Sequence, residues 1–197
     1  MTLDPKIHAK CHQAAESIAK IAAVLSTPQV EEFYIPLLKR LSQGEFFTSR
    51  TSSAALYPPV YNKVSWLIQE DLRKGFAALG ADDTPMVRRA AAKWLGVRHI
   101  AIYFPLWQLK YVAVQPFVKN LSKEHILSDG LPIYRRLQSD DQDSVRLLTV
   151  EDLIVIAKQL TPPEVKEQLL KQIRHSIADK SWRVRYIAAT HFNEVCP

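Results

Sequence analysis

The chain has 197 residues, 47% apolar and 23% charged, with only five glycines and a formal net charge of +6. That composition suits an ordered, helix-rich soluble array. Cys11 and Cys196 sit at opposite ends, so no disulfide framework is expected and a reducing cytosol or nucleus is the expected compartment. Met1 to Lys10 lacks the apolar core of a signal peptide, and no run approaches the roughly 18 apolar residues of a membrane span.

The first predicted element runs from Pro5 to Leu25, where Ile7, Cys11, Ala14, Ile18, Ile21 and Leu25 form one stripe. Asp4 is its candidate cap and Pro28 lies beyond its end. Val30 to Ser42 is a second helix containing Pro36, which is expected to kink it. Gly44-Glu45-Phe46-Phe47 is a turn; its two aromatics are either a packing plug or partner-facing anchors. Pro58-Pro59 and Tyr61 interrupt the helix after that turn, and Val64 to Ala78 starts the next.

From there the chain repeats itself. DDTPMVRRAAA (Asp82 to Ala92), DDQDSVRLLTV (Asp140 to Val150) and DKSWRVRYIAA (Asp179 to Ala189) each place an aspartate six residues before an arginine. The pairs are Asp82/Arg88, Asp140/Arg146 and Asp179/Arg185, and a weaker copy puts Gly44 before Arg50. Arg50 to Arg88 is 38 residues and Arg146 to Arg185 is 39, close to the period of two-helix HEAT units. Apolar stripes flank every copy: Leu72, Phe76, Leu79 before one, then Val87, Ala91, Leu95 after it. A single helix pair cannot bury both stripes, so the pairs must stack.

The expected fold is therefore all-α, a solenoid of HEAT repeats in which antiparallel helix pairs stack right-handedly. Its expected divisions are a partial repeat (second helix only) or a capping helix over 1–29, repeats over 30–67, 68–128 (with an insertion at 97–115) and 129–160, and a truncated one over 161–197. In such a stack an aspartate of one turn can meet an arginine of the next, giving a ladder of charge-assisted hydrogen bonds. The bland alternative is a set of solvated turn charges of little energetic weight.

VEEFYIPLLKRLSQGEFFTSRTS, ADDTPMVRRAAAKWLG, SDDQDSVRLLTVE and ADKSWRVRY resemble the scaffold (A) subunit of protein phosphatase 2A. The resemblance covers Val30 to about Gly96 and Phe117 to about Asn193. It implies a piece near the amino end of a long HEAT horseshoe, without the distant turns that hold the catalytic subunit. By the same resemblance, amino-terminal turns hold an interchangeable regulatory B-type subunit; a general HEAT adaptor for other protein cargo, of the transport type, is the alternative. The turn residues that would face it are Glu45, Phe46, Phe47, Asp83, Thr84, Pro85, Met86, Asp141, Gln142, Asp143, Arg174, Lys180, Ser181 and Trp182. Packing on the neighbouring turn is the alternative for Trp182, and ordinary solvation for Arg174 and Lys180.

Arg88 to Arg146 is 58 residues, and removing Val97 to Gln115 restores the period. That 19-residue segment has 13 apolar residues and no acids. It reads either as an apolar binding insertion or as a retained intron, since its end codons can spell GTAAGA and CAG. Catalysis finds no support: the six histidines are scattered, and His8 with His12 lacks a third ligand. There is no glycine-rich phosphate loop and no nucleophile elbow, so no cofactor or metal is expected. The basic balance raises nucleic-acid binding, but the turns that would face a partner are acidic, and no stacking side chain recurs unit by unit.

Overall fold

The computed structural model describes residues 5–96 and 116–191. The segment 97–115, with His99, and the end from Phe192, with Cys196, lie outside the described residues, as do the side chains of His8, Cys11 and His12. All regular structure among the described residues is helical. The fold is an all-α solenoid of repeats, and its residues cluster into two compact units that divide after Ala91.

In the first unit, α1 spans Pro5–Val24, α2 Ile35–Ser42, α3 Phe47–Ser53 and α4 Trp66–Gly80; α5, Pro85–Gly96, begins here and ends in the second unit. Helix α1 packs against α3 and the 3-10 turn Ala54–Leu56, while α2 packs against both α3 and α4. Leu38, Leu56, Leu72 and Phe76 fill the core. Tyr57 meets Phe76 edge to face with ring centroids 5.5 Å apart. Buried Tyr34 donates its hydroxyl proton to the Leu56 carbonyl.

In the second unit, α6 spans Leu131–Gln138, α7 Asp143–Ala157, α8 Pro162–Ile177 and α9 Trp182–Thr190. Helix α6 packs on α7, α8 on α9, and the two pairs join α6 to α8 and α7 to α9. Leu131, Tyr134, Leu137, Val145, Thr149, Leu153, Ile173, Val184 and Ala188 are all buried, which is the two-stripe arrangement that forces helix pairs to stack.

The two internal prolines do something other than kink. Pro36 and Pro132 each follow a five-residue π turn, Val30–Tyr34 and Ile126–Gly130. The Ile35 and Leu131 amides reach back five residues, to the Val30 and Ile126 carbonyls. Proline cannot donate to the carbonyl four residues behind it, so widening the preceding turn lets the helix run through.

A second periodic column lies at the starts of the first helices. Ser26, Ser65, Ser122 and Thr161 all take extended N-cap geometry and are spaced by 39, 57 and 39 residues. Ser26 with Gln29 and Thr161 with Glu164 form full capping boxes. At Ser65 the third helical residue is Ile68, and Glu31 of the preceding repeat supplies the acceptor for the Ser65 amide at 2.9 Å.

Candidate interaction ridge

The turn between the two helices of a repeat is built around its arginine. In all four copies Nη1 donates to two backbone carbonyls of its own turn: Arg50 to Gly44 and Glu45, and Arg88 to Asp82 and Asp83. Arg146 binds the carbonyls of Asp140 and Asp141, and Arg185 those of Asp179 and Lys180. The six-residue spacing is therefore a contact between a guanidinium and the main chain, for which the side chain six residues back is immaterial. The aspartate side chain works locally as an Asx turn: Asp82, Asp140 and Asp179 each accept the amide two residues on, at 2.7–2.9 Å.

In Arg50 and Arg146 the remaining guanidinium nitrogens reach forward to the next turn. Arg50 Nε and Nη2 donate to Asp82 Oδ2 and Oδ1 at 2.7 and 3.2 Å in the first unit. Arg146 makes the same fork on Asp179 at 2.8 and 2.9 Å in the second. This direction reverses the sequence expectation, in which an aspartate met the arginine of the following turn. It also explains Gly44. The aspartate column serves the arginine of the preceding repeat, and one 39-residue period before Arg50 the sequence has Cys11, which has no guanidinium to offer.

Burial separates the rungs. Arg146 and Asp179 side chains are 4% and 3% exposed, whereas Arg50 and Asp82 retain 17% and 9%. Burial alone would push the Asp179 carboxyl up, but hydrogen bonds from Arg146 and the Ser181 amide outweigh it and hold it below the usual range. Asp82 is depressed the same way, with Arg50 and the Thr84 amide opposing its burial.

With the turns fixed, their remaining side chains project. In the first unit Phe46 is 74% exposed while its neighbour Phe47 is half-buried, so one aromatic packs and the other faces out. Glu45, Asp83, Pro85 and Met86 are exposed beside it, while Thr84 is half-buried, receiving Arg50 Nη2 at 3.3 Å and donating to Asp83. In the second unit Asp141, Gln142, Arg174, Lys180 and Trp182 are exposed, Trp182 at 65%. Asp143 and Ser181 turn to each other across adjacent turns at 3.0 Å and are only partly exposed.

Three structural side chains lay outside the sequence reading. Lys63 Nζ donates to the Ala22, Ala23 and Leu25 carbonyls at 2.6, 2.8 and 3.2 Å, closing the C-terminus of α1 from 38 to 41 residues away. Glu164 caps α8 and pairs with Lys123 at 2.8 Å, linking the starts of successive first helices. Asp152 is fully buried in α7; its Oδ2 has no hydrogen-bond partner among the described residues. Burial, then the Glu151 charge, raises its carboxyl well above the ordinary range, and the Gly96 amide opposes them. A Cβ on Gly96 would stand 2.6 Å from the Asp152 Cα, so only glycine fits there. Of these, only Glu164 had a signal in the sequence, through its partner Thr161 in the recurring column of Ser and Thr caps.

No group of three or more His, Cys, Asp or Glu residues that could hold a metal ion occurs among the described residues. None of the helices among them is long and apolar enough to cross a membrane.

No family model matches the chain. It is 35% identical over 182 residues to the regulatory A-type subunit of protein phosphatase PP2A from the fission yeast Schizosaccharomyces pombe, covering 91% of this chain and 28% of that protein. The probable PP2A regulatory subunit of Caenorhabditis elegans is 38% identical over 161 residues, covering 82% of this chain and 24% of its own. The PP2A scaffold subunit of Dictyostelium discoideum is 40% identical over 122 residues, covering 62% and 18%. The chain thus spans about a quarter of the length of the first of these relatives. With paired helices, a recurring arginine-centred turn and this similarity along most of its length, the chain belongs to the family of HEAT-repeat regulatory (A-type) subunits of protein phosphatase 2A.

Proposed function

We propose that the chain is a non-catalytic scaffold segment that presents its intra-repeat turns to a regulatory B-type subunit of the phosphatase. The carrying observation is the division of labour inside each turn. Arginine and aspartate hold the backbone, and Phe46, Met86 and Trp182 are left in water at the helix starts. Large apolar and aromatic side chains on a rigid frame are the usual anchors of a protein interface, since little conformational entropy is lost when they dock. The relatives are named as regulatory or scaffold subunits, which supports a regulatory role here. Holding the catalytic subunit is assigned to a longer chain carrying further repeats, and cytosol or nucleus is the proposed compartment.

Titrating the chain with a purified B-type subunit tests this. Binding is expected, with Phe46→Ala, Met86→Ala and Trp182→Ala each weakening it several-fold at unchanged melting temperature. Binding that ignores all three substitutions would overturn the assignment to the turns, and absence of binding to any B-type subunit would overturn the partner.

A further inference from the structure

Ser181, the cap of α9, spends its hydroxyl away from its own helix. A serine at this position ordinarily turns the oxygen onto the free amides of the first turn. Ser181 has the extended geometry of a cap but makes no such bond. Its hydroxyl donates instead to Asp143 Oδ2 at 3.0 Å, at the start of α7 in the neighbouring turn. Its amide donates to Asp179 Oδ1 at 2.7 Å, and its carbonyl accepts the Arg185 amide at 3.2 Å. Ser181 is thereby tied to three separate groups, one of them in another repeat. The residue directly after it is Trp182, 65% exposed.

The first unit shows what the stack itself requires. There Phe47 stands in the place of Asp143 and Thr84 in the place of Ser181. The Thr84 hydroxyl donates to its own Asp83 at 3.2 Å and is met at 3.3 Å by Arg50, the arginine that already holds the rung. No carboxylate at the start of the preceding helix takes part. The residue after Thr84 is Pro85, whose ring has no rotamers to order. The second unit thus adds an aspartate that the first does without, and it adds it one residue before a large exposed side chain. Rotamer choice follows backbone geometry, and an interface side chain ordered before docking loses less entropy on binding. We propose that Asp143 is a positioning residue for Trp182: by holding the Ser181 hydroxyl it fixes the peptide ahead of the tryptophan, so that the indole meets a partner already ordered. The partner's identity rests on the reading of the turns given above; the ordering of the indole does not.

Nitrogen relaxation of the Trp182 indole N–H in the full chain, assigned by its loss in Trp182→Phe, reads that order directly. The indole is expected to be ordered in the parent and clearly more mobile in Asp143→Ala and in Ser181→Ala. Asp143→Asn should restore the order, because its amide oxygen still accepts the hydroxyl proton. The Trp66 and Trp94 indoles should be unaltered throughout, which separates loss of positioning from loss of fold. With a purified B-type subunit, Asp143→Ala should weaken binding several-fold, and should add nothing once Trp182 is replaced by alanine. An indole equally mobile in the parent and in Asp143→Ala overturns the proposal, as does Asp143→Asn behaving like Asp143→Ala. A weakening by Asp143→Ala that persists in full without Trp182 also overturns it, since Asp143 would then meet the partner itself. If Trp182→Ala leaves B-type binding unaltered, the reading of the turns fails, and the indole measurement alone decides whether Asp143 orders the tryptophan.

Discussion

Arg146 and Asp179, 33 residues apart in the chain, meet through two parallel hydrogen bonds with both side chains almost wholly out of water. The pair lies between one turn and the next in the second unit, and each partner also binds the backbone of its own turn. A forked ion pair there fixes geometry more than it adds net energy, because its desolvation offsets much of its Coulombic gain. Losing either partner strands the other.

The pH dependence follows from the depressed Asp179 carboxyl. Its folded value lies below the unfolded one near about 3.9, so the unfolded chain binds the proton more readily. The contribution is complete above the unfolded value and is lost as pH falls through the folded one. Urea melts between pH 6 and 2 should show stability dropping in the acid limb. Asp179→Asn should flatten that limb relative to the parent.

Asp152 carries the opposite sign. Its folded carboxyl titrates well above the ordinary range, so the folded state holds the proton longer and stability declines as pH rises from about 3.9 to the folded value. Removing a buried, half-satisfied carboxylate relieves a penalty of about 1–3 kcal/mol. Asp152→Asn should therefore raise stability at pH 7–8 by that order and leave it nearly unchanged at pH 4. A loss of stability at pH 8 would show that the carboxylate is compensated.

Lys63 makes a local prediction. An ammonium on three carbonyls at a helix C-terminus satisfies orphan acceptors and opposes the negative end of the dipole. Lys63→Met should cost about 1–2 kcal/mol and raise amide exchange mainly in α1. Exchange that rises equally in α4 would mean that α1 is not held through this contact.

Glu164 is predicted to stay ionised in strong acid. Lys123, then the Thr161 hydroxyl and amide, hold its carboxyl down to about 2. Carbon-detected NMR titration should place its midpoint near there, and Lys123→Met should move it upward. A midpoint at about 4.3, the unperturbed glutamate value, would mean the capping box is open in solution.

How much of this the sequence announced depends on periodicity. The stripes through Leu72, Val87, Val145 and Val184 repeat at helical spacing, and burying them is what stacks the helices, so the fold class was legible. The spacing of Asp179 and Arg185 pointed to a recurring turn, but spacing along a chain does not separate a carbonyl partner from a carboxylate. The direction of the Arg146 contact became visible only in three dimensions. Phe46 and Phe47 were indistinguishable as letters, and adjacent positions at a helix start face different ways. Lys63 could not be found at all, since its three acceptors are main-chain atoms about 40 residues distant.

The rungs themselves are tested most directly by a double-mutant cycle on Arg146 and Asp179, using Arg146→Met, Asp179→Asn and the pair, each followed by urea unfolding at pH 7. The account predicts that each single change costs about 3–5 kcal/mol and that the double change costs clearly less than their sum, with a coupling of about 2 kcal/mol or more. Additive costs, with coupling under about 0.5 kcal/mol, would contradict the claim that these two side chains lock one repeat to the next.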